Sequence, residues 1–444
     1  MDAMGLEWLS ASEAARAIAA GEISSEQLVE ACLARIRSAE PRVQAWQYLD
    51  PEHALLQARA RDLDHKEGRP SGPLHGVPVG IKDIIDTGDM PTEDGTVLHA
   101  GRTPHADATV VAMLRASGAV IMGKTVTTEC ATYAPGKTRN PHNPEHTPGG
   151  SSSGSAAAVA AGMVPLALGS QTNGSVIRPA AYCGVYGFKP THGLIPRQGI
   201  LKLSRSLDQV GVFARTLEDI ALLAEQLTGF DEHDPDTRPR ARIPFVQLAA
   251  SEPALDPLIA FVKTPVWERA EDETREAFAE LADVLGAQCQ ELELPVSLSD
   301  AWGWHRTIME AEMAANFDLE WEKGRDRLSE SLRGQLARGR EIRALDYHKA
   351  LARIPKLIDG FDEIFARYDA VMTPAAAGTA PAMATTGDPA FCTLWTLCGF
   401  PALSLPLMSG ANGLPLGVQI VGPRGDDARL LRTARWLVSR VQAG

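Results

Sequence analysis

The sequence predicts an α/β fold, and three observations support that prediction. Amphipathic helical runs alternate with short apolar runs of strand composition through residues 107–168, as they do in layered α/β proteins. Strand and turn character returns after Tyr368, behind a long helical stretch. Residues 149–179 enclose an apolar run, 156–168, between two clusters rich in Gly, Ser and Thr. Flexible Gly/Ser linkers would not flank a segment that must be buried, so these two clusters are predicted to meet at a site.

The N-terminal part is predicted to form three helices. Ser12 is the expected cap of a helix over residues 13–20, and Ser25 that of a helix starting at Glu26. The third helix is expected over residues 51–63.

Residues 79–85 have strand composition, yet they include Lys82 and Asp83. Burial of an unpaired charge is costly. Lys82 is therefore interpreted either as an edge-strand residue that reaches solvent or as a functional lysine, and composition alone does not separate the two.

Further along the chain the alternation continues. Helices are predicted at 107–117, 217–227, 271–285, 426–441 and through most of 303–365, with a helix start at 126–131. Strands are predicted at 119–122, 164–168, 258–264, 370–374, 403–406 and 416–421.

Composition restricts the function classes. The chain has 444 residues, 44% hydrophobic and 22% charged, with a net charge of −13, which is ordinary for a globular protein and argues against a nucleic-acid partner. The six cysteines are scattered without a CxxC pair, which favours reduced thiols and a cytoplasmic location. The N-terminus lacks a signal-peptide pattern and no apolar run reaches 18 residues, so no membrane association is expected. The histidines form no metal-binding motif.

Two short motifs match known patterns but lack the required context. Residues 118–125 fit the phosphate-binding GxxxxGK[ST] pattern, but their middle residues are those of a strand. Residues 150–154 fit G-x-S-x-G, the nucleophile elbow of an α/β-hydrolase esterase with Ser152 as nucleophile. That motif needs a strand before Gly150, where the sequence has three prolines within 140–148.

A family resemblance extends over most of the chain. The sequence resembles the amidase signature family of serine amide hydrolases. The matching segments are 76–83, 118–129, 148–157, 174–175, 187–191, 206–208, 373–374, 399–402 and 413–419. Their order and spacing together are specific, although each segment alone is weak.

The resemblance implies a single amidase-signature domain over 1–444, in which a central mixed β-sheet is covered on both faces by helices. Its catalytic core would comprise 60–230 and 367–444, and 231–366 would be a more variable, largely helical substrate-side region. It also implies a Ser–cis-Ser–Lys triad, with Ser175 as nucleophile, Ser151 as the cis-serine and Lys82 as base. The oxyanion hole would be formed by backbone N–H groups of Thr172, Asn173, Gly174 and Ser175. No cofactor and no metal are expected.

The chemistry of such a triad requires a neutral lysine. A serine hydroxyl is a poor nucleophile without a positioned base. The ordinary lysine pKa is about 10.4, so the neutral form near pH 7 requires a decrease of roughly three units, or about 4 kcal/mol, which burial can supply. An apolar strand around Lys82 would provide that burial.

Three positions near the nucleophile depart from the common family pattern. Gln171 stands where an acidic residue is more usual, and Asn173 stands where glycine is more usual. Asparagine would be tolerated at this position if its backbone were left-handed. Arg178 falls one residue later than is common. In small-acid amidases with this spacing the arginine resembles a clamp for a substrate carboxylate; a structural ion pair is the alternative.

The substrate is expected to be a small or aryl amide, with carbamates (urethanes) and esters as further candidates. Gly149, Gly150, Gln171, Arg178, Tyr133 and Trp395 are the candidate substrate-binding residues, and Leu397 is a further one. The helical region offers a second set, for which plain core is the alternative: Trp302, Trp304, His305, Ile308, Met309 and Glu312. Alternative functions are the glutaminase (A) subunit of a tRNA-dependent amidotransferase, which would need a partner protein, and a catalytically dead scaffold. The amidase itself is expected to be a monomer or homodimer.

Overall fold

The computed structural model describes residues 5–69 and 72–443. Within these ranges eleven strands form one sheet. The strands are β1 (Trp46–Leu49), β2 (Pro78–Lys82), β3 (Val120–Thr125), β4 (Leu166–Gln171), β5 (Tyr186–Lys189), β6 (Gln209–Ala214), β7 (Ile259–Lys263), β8 (Cys289–Glu293), β9 (Ala370–Pro374), β10 (Ala402–Ser409) and β11 (Pro415–Val421).

The sheet is mixed. Its strand order is β1-β3-β2-β4-β6-β5-β10-β11-β9-β7-β8. The strand β2 runs parallel to both β3 and β4, whereas β4 and β6 are antiparallel. Every residue of β2, β3, β4 and β6 is buried, which requires cover on both faces of the sheet. The predicted α/β fold with a mixed sheet and flanking helices is confirmed.

The covering helices come from the whole length of the chain. They are α1 (Ala11–Ala19), α2 (Ser25–Val43), α3 (Pro51–Lys66), α4 (Thr109–Ala116), α5 (Ser153–Ala160), α6 (Ile177–Cys183), α7 (Leu217–Leu227), α8 (Phe245–Ala250), α9 (Asp272–Leu285), α10 (Ala301–Asn316), α11 (Asp318–Gly324), α12 (Glu330–Glu341), α13 (Ala344–Leu351), α14 (Ile354–Phe365), α15 (Ala390–Leu397) and α16 (Asp427–Ala443). In the described part of the chain no helix is long and apolar enough to cross a membrane.

The first two helices begin earlier than the sequence predicted. Ser10, rather than Ser12, caps α1, and Ser24, rather than Ser25, caps α2. In both cases the cap side chain accepts from a backbone N–H three residues later, and the side chain of that residue bonds back to the cap. The Glu or Gln three residues after the serine is the signal that distinguishes the true cap from its neighbour.

The predicted helix start at 126–131 is wrong. Residues Glu129–Ala131 form only a short 3-10 turn, in which Cys130 and Ala131 have φ values of 44° and 55°. A left-handed backbone cannot continue a right-handed helix. Three of the four middle residues of the phosphate-loop pattern, Val120, Ile121 and Met122, lie in β3, so the pattern falls on a strand, as the sequence predicted.

The register of the sheet brings two chain segments to one edge. Because β2 and β4 are parallel neighbours with Ile81 opposite Leu168, their carboxyl ends leave the sheet side by side. Lys82 is the last residue of β2, and Ser170 and Gln171 end β4. Loops beyond the carboxyl ends of parallel strands are a common location for ligand sites.

One tight contact sets the position of α5 relative to β3. A Cβ placed on Gly154 would lie 2.3 Å from both the Ala45 carbonyl oxygen and the Val126 nitrogen, and backbone atoms cannot rotate away. Gly154→Ala is therefore expected to lower the free energy of unfolding by about 1–3 kcal/mol, the usual cost of overpacking.

The matched control is Gly360→Ala in α14, where a Cβ would meet no atom within 4 Å. That variant should be stabilised by about 0.5–1 kcal/mol, because alanine is the better helix former. Urea unfolding of both variants measures the difference. Equal unfolding midpoints for the two variants would contradict the assigned contact.

Candidate active site

Lys82 is the buried centre of the site. Its side chain is 0% exposed, and Nζ donates to Ser151 Oγ at 2.7 Å and to Ser170 Oγ at 2.9 Å. The interpretation of Lys82 as an edge-strand residue that reaches solvent is wrong, because β2 lies between β3 and β4.

Burial controls the charge of this amine. Desolvation lowers the pKa of Lys82 well below its ordinary value, and the negative charge of Asp208 opposes that change. Both hydrogen-bond partners are neutral hydroxyls, so neither stabilises an ammonium as a carboxylate would. The arrangement therefore favours a neutral amine that can accept a proton.

Ser151 lies in the loop that leads into α5. The Gly150–Ser151 peptide bond is cis, and the Ser151 carbonyl oxygen accepts from Thr128 N at 3.2 Å. Gly149 has a φ of 82°, and a Cβ there would lie 2.8 Å from the Cα of Pro179. Glycine at this position thus lets the loop approach the start of α6.

Ser152 does not occupy a nucleophile elbow. Its hydroxyl donates to the Ser170 carbonyl oxygen at 3.2 Å, and the side chain is fully buried. In the described part of the chain the residues directly before Gly150 form a loop rather than a strand, so the α/β-hydrolase alternative lacks its structural context.

Ser175 lies in the short loop between β4 and α6. The Gln171 side chain holds this loop: Oε1 accepts from Val176 N at 2.8 Å and from Ile177 N at 3.1 Å, while Nε2 donates to Thr396 Oγ1 at 2.9 Å. The neutral amide therefore both accepts and donates, which an ionised acidic residue could not do.

The backbone N–H groups of residues 172–175 form no hydrogen bond to any other described residue. The carbonyl oxygens of the same loop are held from outside. His305 Nε2 donates to the Thr172 oxygen at 2.9 Å, and Thr396 Oγ1 donates to the Asn173 oxygen at 2.6 Å. A loop with fixed carbonyls and free N–H groups is suited to binding an oxyanion.

Asn173 does not have the left-handed backbone that its sequence position suggested. Its side chain is instead hydrogen bonded on both sides. Nδ2 donates to the Tyr133 hydroxyl at 3.0 Å, and Oδ1 accepts from Thr393 Oγ1 at 2.8 Å. Asn173 thus joins the loop between β4 and α6 to α15, and nothing in the sequence marked Thr393 or Thr396 for this role.

Arg178 is buried on the far side of the same loop. Nε donates to the Thr386 carbonyl oxygen and one terminal nitrogen donates to the Gly150 carbonyl oxygen, each at 2.7 Å. The other terminal nitrogen is buried without a partner among the described residues and lies 2.9 Å from where a Cβ of Gly174 would be. No described carboxylate forms a salt bridge with Arg178, so the interpretation as a structural ion pair is wrong.

A cavity of about 800 Å³ opens beside Asn173, in the loop between β4 and α6. Its lining includes Tyr133, Asn173, Trp302, His305, Met309 and Thr393, with Arg269, Arg306, Glu310, Arg338 and Asp388 among its charged residues. Four of the predicted pocket residues, Tyr133, Trp302, His305 and Met309, are in this set.

Other predicted pocket residues lie elsewhere. Trp395 is fully buried in the core, where its ring packs edge-on against Phe361 at 5.2 Å. Ile308 and Leu397 are also in the core. Glu312 bonds to Ser204 and Ser206, and Trp304 stacks beneath Arg353.

Within residues 5–69 and 72–443 no group of three or more His, Cys, Asp or Glu side chains could hold a metal ion. Ser170 and Asp208 are further residues of the site that the sequence did not reveal. The register of the strands explains the positions of both residues. Ser170 lies near the end of β4, which runs parallel to β2, the strand that carries Lys82. Asp208 directly precedes β6, the antiparallel neighbour of β4.

Comparison with known proteins identifies the family. The model of the family described as Amidase matches residues 27–431. The chain belongs to the amidase family. This match confirms the resemblance to the amidase signature family. It also confirms that the chain is an amidase-signature hydrolase.

Relatives of this chain within the amidase family carry a narrower name, that of the (A) subunit of glutamyl-tRNA(Gln) amidotransferase. The relative from Chloroflexus aggregans is 36% identical, and the match covers 96% of this chain and 95% of the relative. The protein of the same name from Streptomyces coelicolor is also 36% identical, with coverage of 96% and 94%.

Solved structures share the fold. The native peptide amidase from Stenotrophomonas maltophilia superposes with a TM-score of 0.86 at 29% identity, covering 98% of this chain and 97% of that one. A 6-aminohexanoate cyclic dimer hydrolase complexed with substrate gives a TM-score of 0.87 at 26% identity, with the same coverage. The fold therefore accompanies more than one amide substrate.

The buried imidazole of His305 links the site to acid stability. Desolvation lowers the pKa of His305 to about 4 from an ordinary value of 6.5. In the unfolded chain the ring takes up a proton as the pH falls below 6.5, whereas in the folded chain it does so only near pH 4. The free energy of unfolding must therefore decrease over this interval, by about 3 kcal/mol at 1.36 kcal/mol for each pKa unit.

His305→Gln retains a side-chain N–H donor for the Thr172 carbonyl and should lose this contribution to the pH dependence. The measurement is urea unfolding near neutral pH and again at about pH 4.5, inside the interval between the two pKa values. The comparison includes wild type and His105→Gln, a variant at an exposed position. If His305→Gln and wild type lost the same stability between the two pH values, the neutral buried imidazole would be disproved.

Proposed function

We propose that this amidase hydrolyses carbon–nitrogen amide bonds through an acyl-enzyme on Ser175, with Ser151 as proton relay and Lys82 as base. The observation that carries the proposal is the 2.7 Å contact between Lys82 Nζ and Ser151 Oγ, made by a lysine that is 0% exposed. Water cannot reach this amine freely, so its lone pair is kept for the serine.

The proton steps follow from the hydrogen bonds of Lys82. A neutral amine has two N–H donors and one lone pair. In the resting arrangement Nζ donates to Ser170 Oγ and to Ser151 Oγ, and rotation about the Cε–Nζ bond would turn the lone pair toward Ser151. When Ser175 Oγ attacks the substrate carbonyl, its proton passes to Ser151 Oγ and the Ser151 proton passes to Lys82. The reverse transfer protonates the leaving amine and leaves an acyl group on Ser175. Water then attacks this acyl-enzyme, its proton follows the same path to Lys82, and the acid is released as Ser175 regains a proton.

The tetrahedral intermediate would place its oxyanion against the N–H groups of residues 172–175. Support for this role comes from the absence of other partners for these donors among the described residues and from the fixed carbonyls of Thr172 and Asn173. Preorganised donors of this kind require no rearrangement during the reaction.

The cavity favours small or aryl amides as substrates. Tyr133, Trp302 and Met309 supply apolar surface beside the nucleophile loop, and the cavity walls from α10 and α12 belong to the helical region 231–366. Carbamates and esters of similar size would react by the same acyl chemistry. Arg178 is buried and does not line this cavity, so a contact between its unpartnered terminal nitrogen and a substrate carboxylate would require the loop to move.

A second candidate is the glutaminase (A) subunit of a tRNA-dependent amidotransferase. The names of the relatives that match nearly the whole chain favour this candidate over a free-standing amidase of aryl amides. It would make a second protein a partner and glutamine the substrate. Of the three departures in the loop, Asn173 lines the cavity, where glutamine and other small amides would be distinguished.

Substitution tests the proposed roles directly. Ser175→Ala should abolish turnover of any amide substrate while the fold is retained. Lys82→Ala should lower kcat by several orders of magnitude, because no other described base contacts Ser151 Oγ. Ser152→Ala should keep most of the activity. The kcat of each variant measures these effects, and circular dichroism shows whether the variant is folded. Near-normal turnover by Ser175→Ala would overturn the proposal.

A substrate panel separates the two candidates. The panel contains glutamine, a primary aliphatic amide, an anilide, a carbamate and a p-nitrophenyl ester, with release of ammonia or chromophore as the readout. Efficient hydrolysis of neutral amides by the isolated chain, with little on glutamine, identifies a free-standing amidase. Activity restricted to glutamine identifies the glutaminase candidate.

Arg178→Met should lower the rate for substrates that carry a carboxylate more than the rate for neutral substrates of equal size.

A further inference from the structure

The pairing of β4 and β6 places an aspartate opposite the nucleophile loop. Gln171 is the antiparallel partner of Gln209, so the next pair beyond the sheet edge is Thr172 and Asp208. Thr172 begins the segment whose N–H groups face the proposed oxyanion. A side chain that fixes Thr172 therefore fixes the entry to this segment.

Asp208 makes three hydrogen bonds that leave its carboxylate little freedom. One oxygen accepts from Thr172 Oγ1 at 2.6 Å, and the other accepts from Leu203 N and Ser204 N, each at 2.9 Å. The short contact with Thr172 is typical of a hydroxyl that donates to a charged acceptor.

The loop that carries Asp208 is anchored by the helical region. Glu312 of α10 accepts from Ser204 Oγ and Ser206 Oγ, each at 2.5 Å, and from the Tyr347 hydroxyl at 2.7 Å. The loop before Asp208 is thus tied to α10, the same helix whose His305 bonds to the Thr172 carbonyl. Thr172 is therefore held through its side chain and its backbone by contacts that lead to one helix.

Asp208 is also the charge that acts on Lys82. Its carboxylate raises the pKa of that amine against the effect of burial, and burial raises the pKa of Asp208 itself to about 6. The remaining charged groups near Asp208 border a cavity of about 80 Å³ that reaches Ser170: they are Arg197, Lys202, Arg205, His233 and Asp234. Arg197 is engaged by Asp234 at 2.9 Å and by Asp236 at 2.5 Å.

We propose that Asp208 is a positioning residue of this amidase, which orients the oxyanion loop through Thr172 and sets the protonation of Lys82 through its charge. The proposal rests on the proposed acyl transfer at Ser175. Asp208 touches neither substrate nor nucleophile; it acts through its contact with Thr172 and through the effect of its charge on Lys82.

Two substitutions separate its two effects. Asp208→Asn removes the charge and should lower kcat about 10- to 100-fold with KM changed less than about threefold, as expected when transition-state contacts are disturbed. It should also shift the acid limb of the kcat/KM profile to lower pH, because Lys82 without a nearby anion loses its proton more easily. Thr172→Val removes only the hydroxyl and should lower kcat to a similar extent, with the acid limb unmoved.

The matched control is Asp219→Asn. Asp219 is also buried and accepts three hydrogen bonds, from Ala11 N, Ser12 N and Ser12 Oγ, but it belongs to α7 and bonds to the start of α1. The control should lose stability comparable to Asp208→Asn, with an unshifted acid limb and kcat within about threefold of wild type. Asp208→Glu, which restores the charge, should return the acid limb toward its wild-type position.

The outcomes distinguish this inference from the proposed function. An inactive Ser175→Ala together with an unshifted acid limb in folded Asp208→Asn would overturn the role of Asp208 alone. If Asp208→Asn does not fold, the other two variants still test the proposal. An unchanged kcat in Thr172→Val would contradict it. An acid limb in Asp208→Glu that departs from its wild-type position would also contradict it. Full activity of Ser175→Ala would remove the basis of both.

Discussion

The site depends on one constraint, the burial of the Lys82 amine between two serine hydroxyls. A lysine in this setting can be neutral only while water and carboxylates are kept from direct contact with Nζ, and the sheet achieves this by placing β2 between β3 and β4. Ser151 and Ser170 then satisfy the amine without charge. The same burial that would destabilise an isolated ammonium favours the neutral amine, which the proposed mechanism uses as a base.

The surrounding structure holds the loop between β4 and α6 from three directions. Gln171, at the end of β4, accepts from Val176 N and Ile177 N at the start of α6. Thr396 of α15 fixes the Asn173 carbonyl, and His305 of α10 fixes the Thr172 carbonyl. The last two come from parts of the chain far from the loop in sequence. The helical region is therefore both a wall of the substrate cavity and a support for the loop beneath it.

Local patterns predicted most of the fold, because helix periodicity and apolar strands are short-range signals. These patterns failed where one residue determines the boundary of an element. The caps of α1 and α2 lie two residues and one residue before the predicted serines. The left-handed backbone at Cys130 prevents the helix that was predicted there. The buried position of Lys82 and the contacts of Ser170 and Asp208 depend on which strands are neighbours, and strand order is not visible in the sequence. Trp395 illustrates the converse, since an aromatic residue predicted to line the pocket proved to be core.

The central claim is that the acyl group is carried by Ser175 and that Lys82 enables its transfer. Its most direct test is quenched-flow mass spectrometry with a p-nitrophenyl ester, followed by peptide mapping of the trapped adduct. We expect a transient acyl group on Ser175 in wild type, with Lys82→Ala forming it orders of magnitude more slowly. An adduct on Ser152 or Ser151, or equal acylation rates in wild type and Lys82→Ala, would contradict the claim.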